Sequence, residues 1–258
     1  MSQADISKVG QQIRYWLPYW AVLQADVRQT MRSWVYRLWV AASVLFAVGY
    51  FLYRLGIYKE AGMIQDASKL MSDLLRWSVY GSATLIIVLT AGCISSERGT
   101  LADSVLSRGI SRFQYFLGKW HSRLATVLGT YLILGVVAII GSFCLLHEDL
   151  SMSGCIVALV TVGALLAAVV TGGVAASAVF NSTVGAIAVL WISLYGCGFL
   201  LSMMPAGYPS PQRALNNLPL ILQGEYSFEH LARLLRWAAV ACLGMGAAGM
   251  GYFARRDV

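Results

Sequence analysis

Charge is what this sequence has least of. Asp, Glu, Lys and Arg make up 12% of its 258 residues, about half of the roughly 25% usual in soluble domains. Five long stretches, Ser78–Ile94, Leu124–Leu146, Met152–Phe180, Thr183–Met204 and Trp237–Phe253, contain no Asp, Glu, Lys, Arg or His. Proton-driven carriers and pumps place carboxylates or histidines at membrane depth, so these empty stretches weigh against that class. Catalytic motifs are missing too. There is no GxSxG and no HExxH, and the pair Gly118-Lys119 is followed by Trp120 without the upstream glycine of a phosphate-binding loop. His121, His147 and His230 lie at or beyond the ends of apolar runs. They cannot pair with a buried serine or supply axial haem ligands from two facing helices. No two of the cysteines Cys93, Cys144, Cys155, Cys197 and Cys242 stand in a CxxC spacing, and they read as small apolar packing residues. The chain is expected to hold no catalytic residue, no cofactor and no metal.

What is present is apolar. Hydrophobic residues reach 58% and the mean hydropathy is +0.67. A soluble core of this size could not hide that surface, whereas a bilayer can receive it. Runs long enough to span hydrocarbon as helices fall at 34–53, 77–94, 124–146, 152–180, 183–204 and 237–253. One membrane domain over 1–258 is the natural reading. Residues 1–33 carry charges throughout and lack a signal peptide's apolar core, so the run from Trp34 is expected to stay as an anchor.

The net charge of +7 would raise nucleic-acid binding in a soluble protein. Here its distribution reads as topology instead, and no nucleic-acid partner is expected. With the N terminus inside, Lys8, Arg14, Arg28, Arg32, Arg37, Arg98, Arg108, Arg112, Lys119, Arg123, Arg255 and Arg256 fall inside. Arg54, Lys59, Lys69, Arg76, Arg213, Arg233 and Arg236 fall outside, where seven acidic residues offset them. The bias favours cytoplasmic N and C termini in a cell inner membrane.

Three stretches between spans carry patterns. Ile13, Trp16, Leu17, Trp20, Leu23, Val27 and Met31 recur at helical spacing, with Arg14, Arg28 and Arg32 between them. Tryptophan and arginine together suit a helix lying in the membrane interface, kinked at Pro18; a soluble helix packed on a partner is the alternative. In the loop 95–123, Thr100–Asp103 and Ser111–Gln114 resemble helix starts, the second a capping box. Arg108-Gly109 lies between, so two short helices with a sharp turn are expected. Before the last span, Pro205, Pro209, Pro211 and Pro219 break an apolar stretch. It fits short re-entrant or interfacial helices, or else an ordinary loop. Small residues repeat at Gly172/Ala176, Gly173/Ser177, Gly244/Ala248 and Ala247/Gly251, a spacing that lets helices approach closely within or between chains.

The loop also carries a resemblance. Ser96-Glu97-Arg98-Gly99-Thr100-Leu101, Leu106-Ser107-Arg108-Gly109-Ile110-Ser111-Arg112 and Tyr115-Phe116-Leu117-Gly118-Lys119 resemble the signature loop of ABC-2 type transporter permeases. Gly109 stands where that family's pattern has proline, and Phe253-Ala-Arg-Arg-Asp257 is similar to the family's C-terminal ending. The resemblance implies an all-α fold: six spans, an N-terminal amphipathic helix and a cytoplasmic coupling helix between spans 2 and 3. It implies that Thr100 to Leu106, with Leu101, Asp103 and Val105, dock in a separate ATPase subunit. Glu97 and Arg98 would anchor the elbow before Gly99. Arg108, Ser111, Arg112 and Lys119 would set the second helix. ATP and Mg would be bound by the partner ATPase, and a second permease chain, identical or homologous, would complete the pathway in the surrounding lipid. An exporter of a hydrophobic, amphipathic or peptide cargo is the function expected. Topology alone could explain the charges, and lipid contact could explain Leu101, Val105 and Leu106. A secondary transporter or channel without an ATPase, and a non-transporting membrane scaffold, are the rival functions.

Overall fold

A computed structural model of the chain describes residues 3–61, 67–97, 110–145, 150–203 and 210–255. Among them the secondary structure is helical, without a strand. The helices are α1 (Gln3–Arg32), α2 (Trp34–Ala61), α3 (Ala67–Ala91), α4 (Arg112–Leu145), α5 (Met152–Val179), α6 (Thr183–Met203), α7 (Pro211–Asn216), α8 (Leu218–Gln223) and α9 (Phe228–Arg255). A short 3-10 turn, Ser95–Glu97, follows α3. Six of these helices, α2 to α6 and α9, are long and apolar enough to cross a membrane. The chain thus has the make-up of a multi-pass membrane protein.

α5 is the hub, packing on α9, α3, α4, α6 and α8. Val162, Leu166, Val170, Val174 and Ala178 follow each other every four residues and are almost fully buried, as one inward stripe of a helix requires. In lipid, apolar contact between helices gains little over contact with acyl chains, so close approach and polar bonds must select the neighbours. The small residues do this. A Cβ on Gly173 would stand 2.6 Å from Thr90 Cβ, and one on Gly249 would stand 2.9 Å from Ala175. The pair Gly173/Ser177 thus packs against α3 within this chain. Gly244 and Gly251 face open space.

The helices run beyond the apolar windows. α3 begins ten residues before Trp77 because its polar first turns are buried by other helices rather than by lipid. Ser68 and Ser72 are buried, and Gln223 Nε2 donates to Ser68 Oγ at 3.0 Å. The expected second short helix of the 95–123 loop is not separate. Ser111 begins α4, which continues as one 34-residue helix into the third span. Nothing between Arg112 and Leu124 breaks a helix, so the rod simply extends. α1 likewise runs through Pro18.

The proline-broken stretch forms α7 and α8, each with a proline in its first turn. Leu215, Leu218, Ile221 and Leu222 are buried in the main core. Gly154 admits α8 to the start of α5: a Cβ there would meet Leu222 O at 2.7 Å, and Ser151 N donates to that same carbonyl at 2.9 Å. Gly224, at φ 89°, ends α8 in a left-handed conformation that glycine adopts without steric cost. Cys93 and Cys155 are buried, whereas Cys197 is exposed on α6.

Alternation of the spans puts the last turn of α3, the first of α4 and the last of α9 at one end, the elbow end, together with the C-terminal half of α1. α7 and α8 lie at the other end.

Candidate functional site: a buried charge cluster at the elbow

Four ionic side chains meet where α3 ends. The end of α3 is fixed first: the backbone N–H groups of Ile94 and Ser95 both donate to Ser177 Oγ, at 2.8 and 3.0 Å. Ser95 Oγ lies 3.0 Å from Thr183 Oγ1 on α6. This anchoring directs Glu97 toward α4. Lys119 Nζ donates to Glu97 Oε1 at 2.6 Å, and the Tyr115 hydroxyl donates to Glu97 Oε2 at 2.6 Å.

Lys119 is bound on its other side by α1. Its Nζ donates to Asp26 Oδ1 at 2.7 Å, and Arg123 Nη2 donates to the same oxygen at 3.2 Å. Arg123 Nε lies 3.1 Å from Asp26 Oδ2 but off the hydrogen-bond line, so attraction there is coulombic. Ser122 Oγ donates to Oδ2. Asp26 is 2% exposed, Lys119 3% and Arg123 7%. Two carboxylates face two cations, so the cluster is formally neutral. Burial of an unbalanced set would be prohibitive.

Local sequence explains the convergence. Ser111 and Gln114 form the expected capping box: Gln114 N donates to Ser111 Oγ at 3.2 Å and Ser111 N to Gln114 Oε1 at 3.3 Å. This sets the start of α4, and Lys119 and Arg123 then fall on one face, four residues apart. Gly118 lets α1 come close, since a Cβ there would lie 2.8 Å from Val22 Cγ1. α1 presents Tyr19, Val22, Asp26 and Thr30 to α4, at steps of three and four. Thr30 Oγ1 donates to the Asp26 carbonyl at 2.7 Å. The Tyr19 hydroxyl meets His121 Nδ1 at 2.7 Å, and burial pushes that phenol above its usual pKa. Trp16 (50% exposed), Trp20 (61%) and Met31 (50%) stay outside the bundle. The face of α1 that packs on α4 is the one with Tyr19, Val22, Asp26 and Thr30, while Trp16 and Trp20 keep half or more of their surface exposed.

The C-terminal end of α9 closes the site. Phe253 stacks on Tyr115 and packs on Phe116 at ring distances of 6.0 and 6.3 Å. Arg112 Nη1 reaches the Ala254 carbonyl at 3.4 Å. Of the expected coupling residues, Glu97 and Lys119 sit in the cluster, while Ser111 and Arg112 flank it. Arg98, Gly99, Thr100, Leu101, Asp103, Val105, Leu106 and Arg108 lie outside the described residues. Asp26 was missed from the sequence. Its one signal is an acidic residue on a face with Val22 and Thr30, away from the tryptophans, in a helix otherwise rich in arginine.

Chemically, the arrangement is a clamp. The Ser122 hydroxyl, donating to Asp26, adds one more bond to it. Along α4 after Arg123 and throughout α5 there is no Asp, Glu, Lys, Arg or His. Comparison with family models and with characterised proteins finds no match to this chain.

Proposed function

We propose that this chain is the membrane permease subunit of an ATP-binding cassette transporter of the ABC-2 type, driven by a separate ATPase that binds ATP and Mg. The supporting observation is the charge cluster. Glu97 immediately precedes segment 98–109, which holds the expected docking residues. Glu97 is bonded to Lys119, and Lys119 to Asp26. A displacement of that segment is therefore passed to α4 and α1 together rather than absorbed by a loose turn. A coupling element needs such a stiff root, because a force on a compliant root dissipates locally.

On this reading, Thr100 to Leu106 dock in the ATPase, and α1 lies in the interface of an inner membrane with both termini cytoplasmic. Two permease chains form the pathway for a hydrophobic, amphipathic or peptide cargo moving outward. The closed, neutral cluster disfavours a proton-coupled carrier, whose groups must exchange protons with a pathway.

Purification from native membrane tests the reading. An ATPase with Walker motifs should co-purify with the wild-type chain. Leu101→Asp combined with Leu106→Asp should abolish the association while the chain remains inserted. Survival of the complex overturns the docking assignment. Transport by the purified chain alone in liposomes favours the channel or carrier instead.

A further inference from the structure

At the end opposite the elbow, α7, α8 and the first turns of α9 enclose a cavity of about 410 Å³, within the ~300–1,000 Å³ range of ligand sites. Leu220 and Ile221 of α8 and Leu231 and Leu234 of α9 make its walls apolar. The Ser210 side chain borders it. Ser210 is 3% exposed, and its Oγ has no hydrogen-bond partner among the described residues. A buried hydroxyl left unpaired is unfavourable, and a ligand atom at that place would satisfy it.

The charged lining favours one sign. Two guanidiniums, Arg213 and Arg233, line it with a single carboxylate, Glu225. Arg233 also bonds Glu229 at 2.8 Å, but that pair is exposed and therefore weak. The cavity lies at the level where the spans end. Phe228 and Trp237, on the same helix, point outward at 75% and 61% exposure, as aromatic residues do at a headgroup boundary. An apolar wall, a hydroxyl in need of a partner and an excess of guanidinium match an amphiphile with an anionic head.

We propose that this cavity binds an anionic phospholipid, with the phosphate toward Arg213 and Arg233, the chain against Leu231 and Leu234, and an oxygen of the linker on Ser210. The inference goes beyond the permease reading and does not depend on it, because binding is measured on the chain alone.

The test uses the full chain in a non-ionic detergent, with lysophosphatidylglycerol and lysophosphatidylcholine as probes and native mass spectrometry as readout. The anionic probe should bind at least about tenfold tighter. Leu231→Trp, which fills the cavity, should remove binding of both. Arg233→Gln should erase the preference between them. Ser210→Ala adds no bulk and should weaken binding severalfold with an unchanged melting temperature, which guards against a misfolded Leu231→Trp. Equal binding of the two probes to wild type, or wild-type binding by a folded Leu231→Trp, overturns the proposal. Displacement by millimolar inorganic phosphate overturns it as well, since the site would then read a free anion.

Discussion

The two ends of α3 carry charge in different ways. At the elbow end, Asp26, Glu97, Lys119 and Arg123 are shielded from solvent, and the Lys119 bonds are 2.6 and 2.7 Å long. At the other end, Arg54 and Arg76 flank Asp73 at 3.4 and 3.8 Å, with side chains about a quarter to a third exposed. The Tyr50 hydroxyl adds a 2.8 Å bond to Asp73. Water can replace either partner in the second group, so its pairs contribute little. Asp26, Lys119 and Arg123 are almost wholly buried and the Glu97 side chain is 13% exposed, so water reaches the first group poorly and loss of one partner there strands a charge. The difference teaches where the molecule is built to be stiff. α1, α3 and α4 are locked together beside the root of segment 98–109, whereas α2 and α3 are only loosely tied at the far end.

The largest effect should come from Lys119→Met. It leaves Asp26 with Arg123 and Ser122, and Glu97 with only the Tyr115 hydroxyl. Removal of one partner from a buried pair costs roughly 3–5 kcal/mol. Detergent-unfolding titrations should show a loss of that size. Adding Glu97→Gln should recover part of it, since the stranded carboxylate is neutralised. A Lys119→Met chain as stable as wild type would break the contrast between the two ends.

Gly173→Val should come next. The new side chain would run into Thr90, and it would move Ser177 from the N–H groups of Ile94 and Ser95. Overpacking typically costs about 1–3 kcal/mol. The same titration should find that loss, and thiol labelling of the buried Cys93, with the other cysteines replaced by serine, should become faster as the elbow loosens. Unchanged labelling would place the stiffness in the ion cluster alone and sharpen the comparison in that direction.

Much of this junction was legible in the sequence. The capping box at Ser111 and Gln114 and the glycine–lysine pair at 118–119 are local patterns, and local patterns survive in one dimension. The six apolar helices were legible because their windows are long and free of charge. Asp26 was not legible as part of the site. Its partner Lys119 lies 93 residues away, and only the approach of α1 over Gly118 brings them together. The true starts of α3 and α9 were hidden for a related reason. Their first turns carry polar residues, such as Ser68 and Arg233, and end-to-end polarity reads as loop when hydropathy is the only guide. The prolines of α7 and α8 suggested short re-entrant or interfacial helices or an ordinary loop; what they did not show is that Leu215, Leu218, Ile221 and Leu222 are covered by α3 and α5.

The smallest effect is expected from Asp73→Asn. The substitution removes the charge attraction to Arg54 and Arg76 but keeps an oxygen able to accept from Tyr50. Arg76 retains a bond of its own, from Nη2 to the Leu215 carbonyl at 3.3 Å, which ties α3 to α7 without Asp73. The partly exposed guanidiniums regain water, so the loss should stay below about 1 kcal/mol. It should also shrink further in high salt, because exposed charges are screened over a distance comparable to their separation. The effect of Lys119→Met should be nearly independent of salt, since ions do not enter the elbow cluster. Measuring both variants at low and high salt separates the two ends by mechanism as well as by magnitude. A salt-insensitive loss of several kcal/mol from Asp73→Asn would mean that the far end is as rigidly clamped as the elbow, and the case for a dedicated lever at Glu97 would lose its physical basis.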